Sequence, residues 1–414
     1  MGPPFATGRP RDSALPALGE VLDADAVATG FTNAWRCADP AVVRVRVGRR
    51  ADTKYAPGTA CVAVYHVVVE RHAAQPEQCF GVASAFPTGS EYRRLEDDPG
   101  LPAAAVAVDP GRIEDRLRAL APLGGRSGAP VRAVPVRYKP GRTCVVRYEL
   151  GDAAAFGKVM AAGAECQGTV VRQLAAGGAV GVPPLLAVWP DLGMTVQAAV
   201  TAAADLTTTL AAARQSDRAR WLQRLGRAAA CLHAAPVEAA LPAVGWREDL
   251  EELAGYRPLF AARAPGLQPE FDRALAELGR AAATSPAGAE RLGHGALRTD
   301  QLLADRSGRL YLLDLDGLCR ADPARDLANL LGYLRWRGIR QPQDAAWTAA
   351  AGPLVLEGYA AVADPPEPAG LELFERVTLL RIAGRRLRSL AASEWRRLPE
   401  LLRGARPGAS MIDR

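Results

Sequence analysis

Apolar and polar positions alternate most regularly between residues 137 and 159. There Tyr138-Lys139-Pro140-Gly141-Arg142-Thr143-Cys144-Val145-Val146-Arg147-Tyr148 is followed by Phe156-Gly157-Lys158-Val159. The pattern predicts a strand, a tight Pro-Gly turn, a second strand, a short loop and a third strand. An earlier stretch repeats it: Lys54-Tyr55-Ala56-Pro57-Gly58-Thr59-Ala60-Cys61-Val62-Ala63-Val64-Tyr65, then Phe80-Gly81-Val82, with Val82 in the place of Lys158. Two copies of one strand–turn–strand unit imply a duplicated or enlarged β-rich front end. The first copy either presents an edge or pocket to a substrate or partner, or is a structural duplicate that covers the sheet.

The rest of the chain reads differently. Residues 164–174 suit a helix, and 183–197 suit two short strands leading to a hinge near 196–199. Leu222, Leu225, Ala229 and Leu232 fall at helical spacing within 218–233. Leu310 to Leu313 reads as a buried strand. From about residue 327 onward the runs rich in Leu, Ala and Arg are helical, and 404–414 reads as a frayed tail. The expected class is therefore α+β, with an antiparallel β-rich amino-terminal lobe and a mainly helical carboxy-terminal lobe.

Composition narrows the function classes. The 414 residues are enough for two or three lobes with a full core. A net charge of +6 comes from Arg spread along the chain without interleaved aromatics, which argues against nucleic acid as a partner. No uncharged apolar stretch approaches about 18 residues, so no membrane span is expected. The first residues lack the basic and apolar regions of a signal peptide. Seven Cys form no metal-ligand spacing and read as reduced thiols of a cytoplasmic protein.

The candidate chemistry lies in three blocks. The first is His294-Gly295-Ala296-Leu297-Arg298-Thr299-Asp300-Gln301-Leu302-Leu303. The second is Leu312-Leu313-Asp314-Leu315-Asp316-Gly317, and the third is Asp322-Pro323-Ala324-Arg325-Asp326-Leu327-Ala328. Each is weak alone; their order and spacing resemble the catalytic core of aminoglycoside phosphotransferase-like kinases. The front end agrees, since Tyr138 to Val159 resembles the family's first three strands.

That resemblance implies a two-lobed protein-kinase-like fold: an extension over residues 1–125, an amino-terminal lobe over 126–198 and a helical lobe over 199–405. It implies a phosphotransferase that uses ATP and magnesium to phosphorylate a hydroxyl, on a small molecule or on Ser/Thr of a peptide handled with a partner lyase or other biosynthetic enzyme. Asp314 and Gln301 would hold the metal, with Asp316 either a second metal contact or a turn residue. Nucleotide binding would fall to Tyr138, Gly141, Arg142 and Lys158, with Glu165 as the lysine's acidic partner unless it has none in that helix. His294, Arg298 and position 296 would form the catalytic loop. Asp326 would accept hydrogen bonds from that loop's backbone, and His233 would be a packed structural residue. One residue departs from the family pattern: its catalytic Asp falls on Ala296. An Ala cannot accept the acceptor hydroxyl's proton, and losing a positioned base costs about 10²- to 10⁴-fold in rate. The chain as written is thus expected to be inactive, either as a phosphotransferase with its base replaced or as a natural pseudokinase that binds nucleotide. Finally, Glu248, Asp249, Glu251 and Glu252 lie where the family builds its acceptor site, and could meet a cationic acceptor.

Overall fold

The computed structural model describes residues 10–120, 129–178, 180–201, 203–285 and 288–408. The boundary read at 125/126, the first residues read as lacking a signal peptide and the end of the tail lie outside these residues.

The duplication read from the sequence is present in three dimensions. The first unit is a four-stranded antiparallel sheet, β1 (Val42–Ala56), β2 (Ala60–Arg71), β3 (Glu77–Phe86) and β4 (Gly89–Arg94), in that order. The second is five-stranded: β5 (Val131–Lys139), β6 (Thr143–Leu150), β7 (Ala153–Met160), β9 (Met194–Ala198) and β8 (Leu185–Trp189) from edge to edge. Both open with the same hairpin, in which Tyr55 pairs with Cys61 and Tyr138 with Cys144. In each turn a Pro presets the first corner and a Gly takes positive φ at the second (Gly58 +69°, Gly141 +65°).

The repeat also extends further upstream than the hairpins. Asp12 accepts hydrogen bonds from Tyr55 Oη and Gly58 N, each at 2.8 Å; Asp98 accepts them from Tyr138 Oη and Gly141 N, each at 2.6 Å. Leu15-Pro16-Ala17 and Leu101-Pro102-Ala103 follow those aspartates at equal spacing. Asp23 and Asp109 then each cap a helix, Ala24–Ala38 and Pro110–Arg118. One expectation is corrected here. Val145 pairs with Lys158, whereas its counterpart Val62 pairs with Ser84, so Ser84 and not Val82 occupies the lysine's position. The longer β2–β3 connection shifts the register.

Successive strand residues face opposite sides, and both faces of the first sheet are covered. Phe31, Trp35 and Tyr65 share a core with Leu253, Tyr256, Phe260 and Phe271 of the helical lobe. On the other face Val64, Phe80 and Val82 pack with Tyr138, Cys144 and Tyr148 of the second unit. The first unit is thus wedged between the five-stranded sheet and the helices. In the helical lobe, Gln215–His233, Pro323–Arg340 and Pro368–Arg388 are the longest helices. Two small sheets are set into this lobe: β10 (Ala204–Asp205), β12 (Leu302–Ala304) and β13 (Leu310–Leu312) form one, β11 (Arg291–Gly293) and β14 (Cys319–Ala321) the other. The loop 294–301 joins β11 to β12, and 313–318 joins β13 to β14, so the two loops emerge side by side.

Candidate active site

The first loop is pinned by its backbone. Asp326 Oδ2 accepts from His294 N at 2.5 Å and Oδ1 from Gly295 N at 2.9 Å. His233, buried at the end of its helix, is within 3.3 Å of the same carboxylate and 2.9 Å of Tyr359 Oη. Burial alone would raise the Asp326 pKa, but the His233 bond and the His294 backbone donor hold it below the ordinary value. The structural roles expected of Asp326 and His233 are therefore those they fill. Gly295 has φ +76°, and a Cβ there would lie 2.0 Å from the Gly317 carbonyl oxygen, so only Gly lets the two loops touch.

The two loops therefore meet at Gly295 and Gly317. Ala296 is half-buried and offers no acceptor. Arg298 pairs with Asp300 at 2.9 Å, and its guanidinium lies 4.9 Å from the Tyr333 ring centre. The Gln301 backbone carbonyl accepts Leu313 N at 2.8 Å, which sets Gln301 beside Asp314. Its side chain is buried, and Oε1 has no hydrogen-bond partner among the described residues. Asp314 sits in the left-handed region at φ 55°, which for a non-Gly residue costs about 1–2 kcal/mol.

Asp314 is ringed by cations. Lys158 Nζ lies 2.9 Å from Oδ1, Arg137 Nη1 3.1 Å from Oδ2, and Lys139 Nζ 3.9 Å from Oδ2. Burial raises the Asp314 pKa, but Lys158, Lys139 and Arg137 outweigh it and hold the carboxyl well below the ordinary range. Lys158 also pairs with Asp316, whose Oδ1 accepts from Gln167 Nε2 at 3.2 Å. The pairing left open between Lys158 and Glu165 is thereby corrected: Glu165 faces solvent, and the lysine's partners come from the 314–316 loop. Gln167, two residues further along the helix, is the inward residue.

Other expectations shift with burial. Tyr138 is buried with its hydroxyl on Asp98, so it supports the turn and does not reach a nucleotide. Gly141 shapes that turn, and Arg142 at its end is exposed. Near the hinge, Ala198 N donates to the Pro184 carbonyl and Ala199 N to the Ala154 carbonyl, so these two amides are already paired within the protein.

The acidic stretch is also not a cation site. Asp249 is buried against Arg325 at 2.7 Å and also pairs with Arg381. Glu252 accepts from Arg381 at 2.8 Å and Arg385 at 3.1 Å. Burial raises the Glu252 pKa, yet Arg381 and Arg385 bring it down to about 2. A carboxyl whose folded pKa is depressed stabilises the fold above its unfolded value and loses that contribution as pH falls through the folded one. Acid unfolding followed by circular dichroism is thus expected to steepen between pH 4.5 and about 2, and Glu252→Gln to flatten that window.

The residues fit a bound magnesium. Among the described residues no group of three or more His, Cys, Asp or Glu could cage a metal. Asp314 and the unpartnered Gln301 Oε1 supply two hard oxygens, and Mg²⁺ characteristically takes few protein ligands beside phosphates and water. The cations now around Asp314 lie where a metal's charge would neutralise it.

No curated protein matches the chain. Among solved structures it is similar to a choline/ethanolamine kinase family protein from Mesorhizobium loti, at 16% identity and TM-score 0.51 over 73% of this chain and 97% of that one. It is also similar to spectinomycin phosphotransferase in complex with ADP and spectinomycin, at 13% identity and TM-score 0.50 over 70% and 97%. Among the described residues no helix is long and apolar enough to cross a membrane. The model of the APH phosphotransferase enzyme family matches residues 124–374, more than half of the chain, and with the two-lobed kinase-like fold this makes the protein a member of that family.

Proposed function

We propose that the cleft between the five-stranded sheet and the helical lobe binds a nucleoside triphosphate with magnesium and directs its γ-phosphate to a hydroxyl. The acceptor would be a small molecule or a Ser/Thr of a peptide, met alone or with a partner biosynthetic enzyme such as a lyase. The observation that carries this is Lys158 Nζ 2.9 Å from Asp314, with the unpartnered Gln301 carbonyl on the residue that accepts from Leu313 N. Asp314 and Gln301 would hold the magnesium, whose charge would stabilise that developing on the transferred phosphoryl group. Lys158 on β7 would leave Asp314 and grip phosphate oxygens, while Gln167 keeps Asp316 in place. Asp326 holds the catalytic loop, so position 296 faces the acceptor whatever its side chain. With Ala there, no group takes the hydroxyl's proton. The same absence favours a second reading, a pseudokinase that binds nucleotide for a partner's benefit.

Both readings need the nucleotide. Saturating Mg-ATP is expected to raise the melting temperature, corresponding to about 2.7 kcal/mol at a hundredfold excess over Kd. Asp314→Ala is expected to remove most of the magnesium-dependent part. An unchanged melting temperature at millimolar Mg-ATP would overturn the nucleotide site.

A further inference from the structure

We propose that Arg224, Arg227 and Arg309 form a site for the phosphate group of a small molecule, outside the nucleotide cleft and at the opposite end of β13 from Asp314. The inference goes beyond the phosphotransferase reading and stands without it.

All three arginines line one cavity of about 380 Å³, a size at the lower end of small-molecule pockets. Arg224 and Arg227 are three residues apart on the helix Gln215–His233 and so share a face. Arg309 comes from the turn between β12 and β13. Gly181 and Gly308 also line the cavity, and both let its walls close up. A Cβ on Gly308, which has φ +86°, would stand 1.8 Å from Arg224 Nη1. One on Gly181 would stand 2.1 Å from the Leu310 carbonyl oxygen and 3.3 Å from Arg309 Nε. Two of the guanidinium groups are already oriented. Arg224 donates to the Gly308 carbonyl at 3.2 Å and lies 5.0 Å from the Trp221 ring centre, and Arg309 lies 5.3 Å from that of Tyr311.

No carboxylate answers these charges. Among the described residues neither Asp nor Glu lines the cavity, and none of the three arginines forms an ion pair. The turn's own acid, Asp305, is taken up within the turn. It accepts from Ser307 N at 2.9 Å, Ser307 Oγ at 2.6 Å, Arg309 N at 3.0 Å and Tyr311 Oη at 3.1 Å. One turn earlier on the same helix, by contrast, Arg220 is paired with Asp217. Three guanidinium groups around one void repel each other, and a bound anion removes that repulsion. Phosphate suits them because its oxygens point in several directions, and the planar fork of each arginine matches a pair of them. The site is distinct from the cleft, where Lys158, Lys139 and Arg137 surround Asp314. Strand β13 runs from Arg309 at the cavity towards Leu313 and Asp314, and Leu312 N on it donates to the Gly181 carbonyl at 2.9 Å.

The test is calorimetric titration of the full chain without magnesium, at fixed ionic strength, with inorganic phosphate and separately with inorganic pyrophosphate. Saturable binding of at least one is expected; pyrophosphate binding the tighter would mean that the site spans two linked phosphates. Arg227→Ala and Arg309→Ala are each expected to weaken binding roughly tenfold, the scale of a charge-assisted hydrogen bond. Arg220→Ala, on the same helix but outside this cavity, and Lys158→Ala, in the cleft, should leave the affinity as it is. No saturable binding of either anion, or unchanged affinity in both Arg227→Ala and Arg309→Ala, would overturn the proposal. So would an equal loss in Arg220→Ala, which would mean general attraction to a basic surface, or a loss in Lys158→Ala alone, which would place the anion in the cleft. Melting curves with Mg-ATP separate this site from the phosphotransferase reading. A chain that binds pyrophosphate through Arg227 and Arg309 but is not stabilised by Mg-ATP would lose the nucleotide site and keep this one.

Discussion

Ala296→Asp is expected to raise phosphate transfer to a hydroxyl acceptor by roughly 10²-fold or more, the scale of a positioned general base. The reason lies in how the loop is held. His294 N and Gly295 N are fixed by Asp326, the Leu297 carbonyl accepts Asn329 Nδ2 at 2.9 Å, and Gly295 abuts Gly317. None of these contacts involves the side chain at 296, so a carboxylate can be added without reshaping the loop. Where no acceptor is at hand, slow ATP hydrolysis gives the same comparison. Positioning and electrostatics still act without the base, so weak turnover by the Ala form is compatible with the reading. If the Asp form binds Mg-ATP as tightly as the parent and turns over no faster with any acceptor, the pseudokinase reading replaces it.

Asp249→Ala is expected to destabilise the fold by about 3–5 kcal/mol, the cost of leaving a buried charge without its partner. Arg325 would lose its bidentate carboxylate and Arg381 one of its two acids. Glu248→Ala, at the exposed capping position of the same helix, should cost about 1 kcal/mol or less. Urea unfolding midpoints for the two variants decide the matter. Equal small effects would mean that Asp249 is not the buried keystone of this network. Loss of substrate affinity at unchanged stability would restore the acidic stretch as an acceptor site.

The two predictions rest on information of different kinds. The order of His294-Gly295, Gln301, Asp314 and Asp326 is a property of the sequence, because the two loops and their supporting helix follow one another with short connections. So are the paired Tyr-x-Pro-Gly turns, whose φ requirement is written in the residues themselves, and the strand around Lys158, whose alternation marks it. The upstream half of the repeat was also present, as Asp12 and Asp98 each followed by Leu-Pro-Ala, but its meaning depends on a carboxylate meeting a turn more than forty residues away.

Only the tertiary structure decided which charges are neighbours. From the sequence Glu165 is the one acid of its helix that could pair with Lys158, and Glu248 to Glu252 look like one acidic cluster. Folding turns Glu165 outward and brings Asp314 and Asp316 to the lysine, and it buries Asp249 against arginines 76 and 132 residues away. Local patterning fixes turns, strands and loop order because those depend on near neighbours. Electrostatic partnership depends on distance in space and on burial, and spacing along the chain encodes neither.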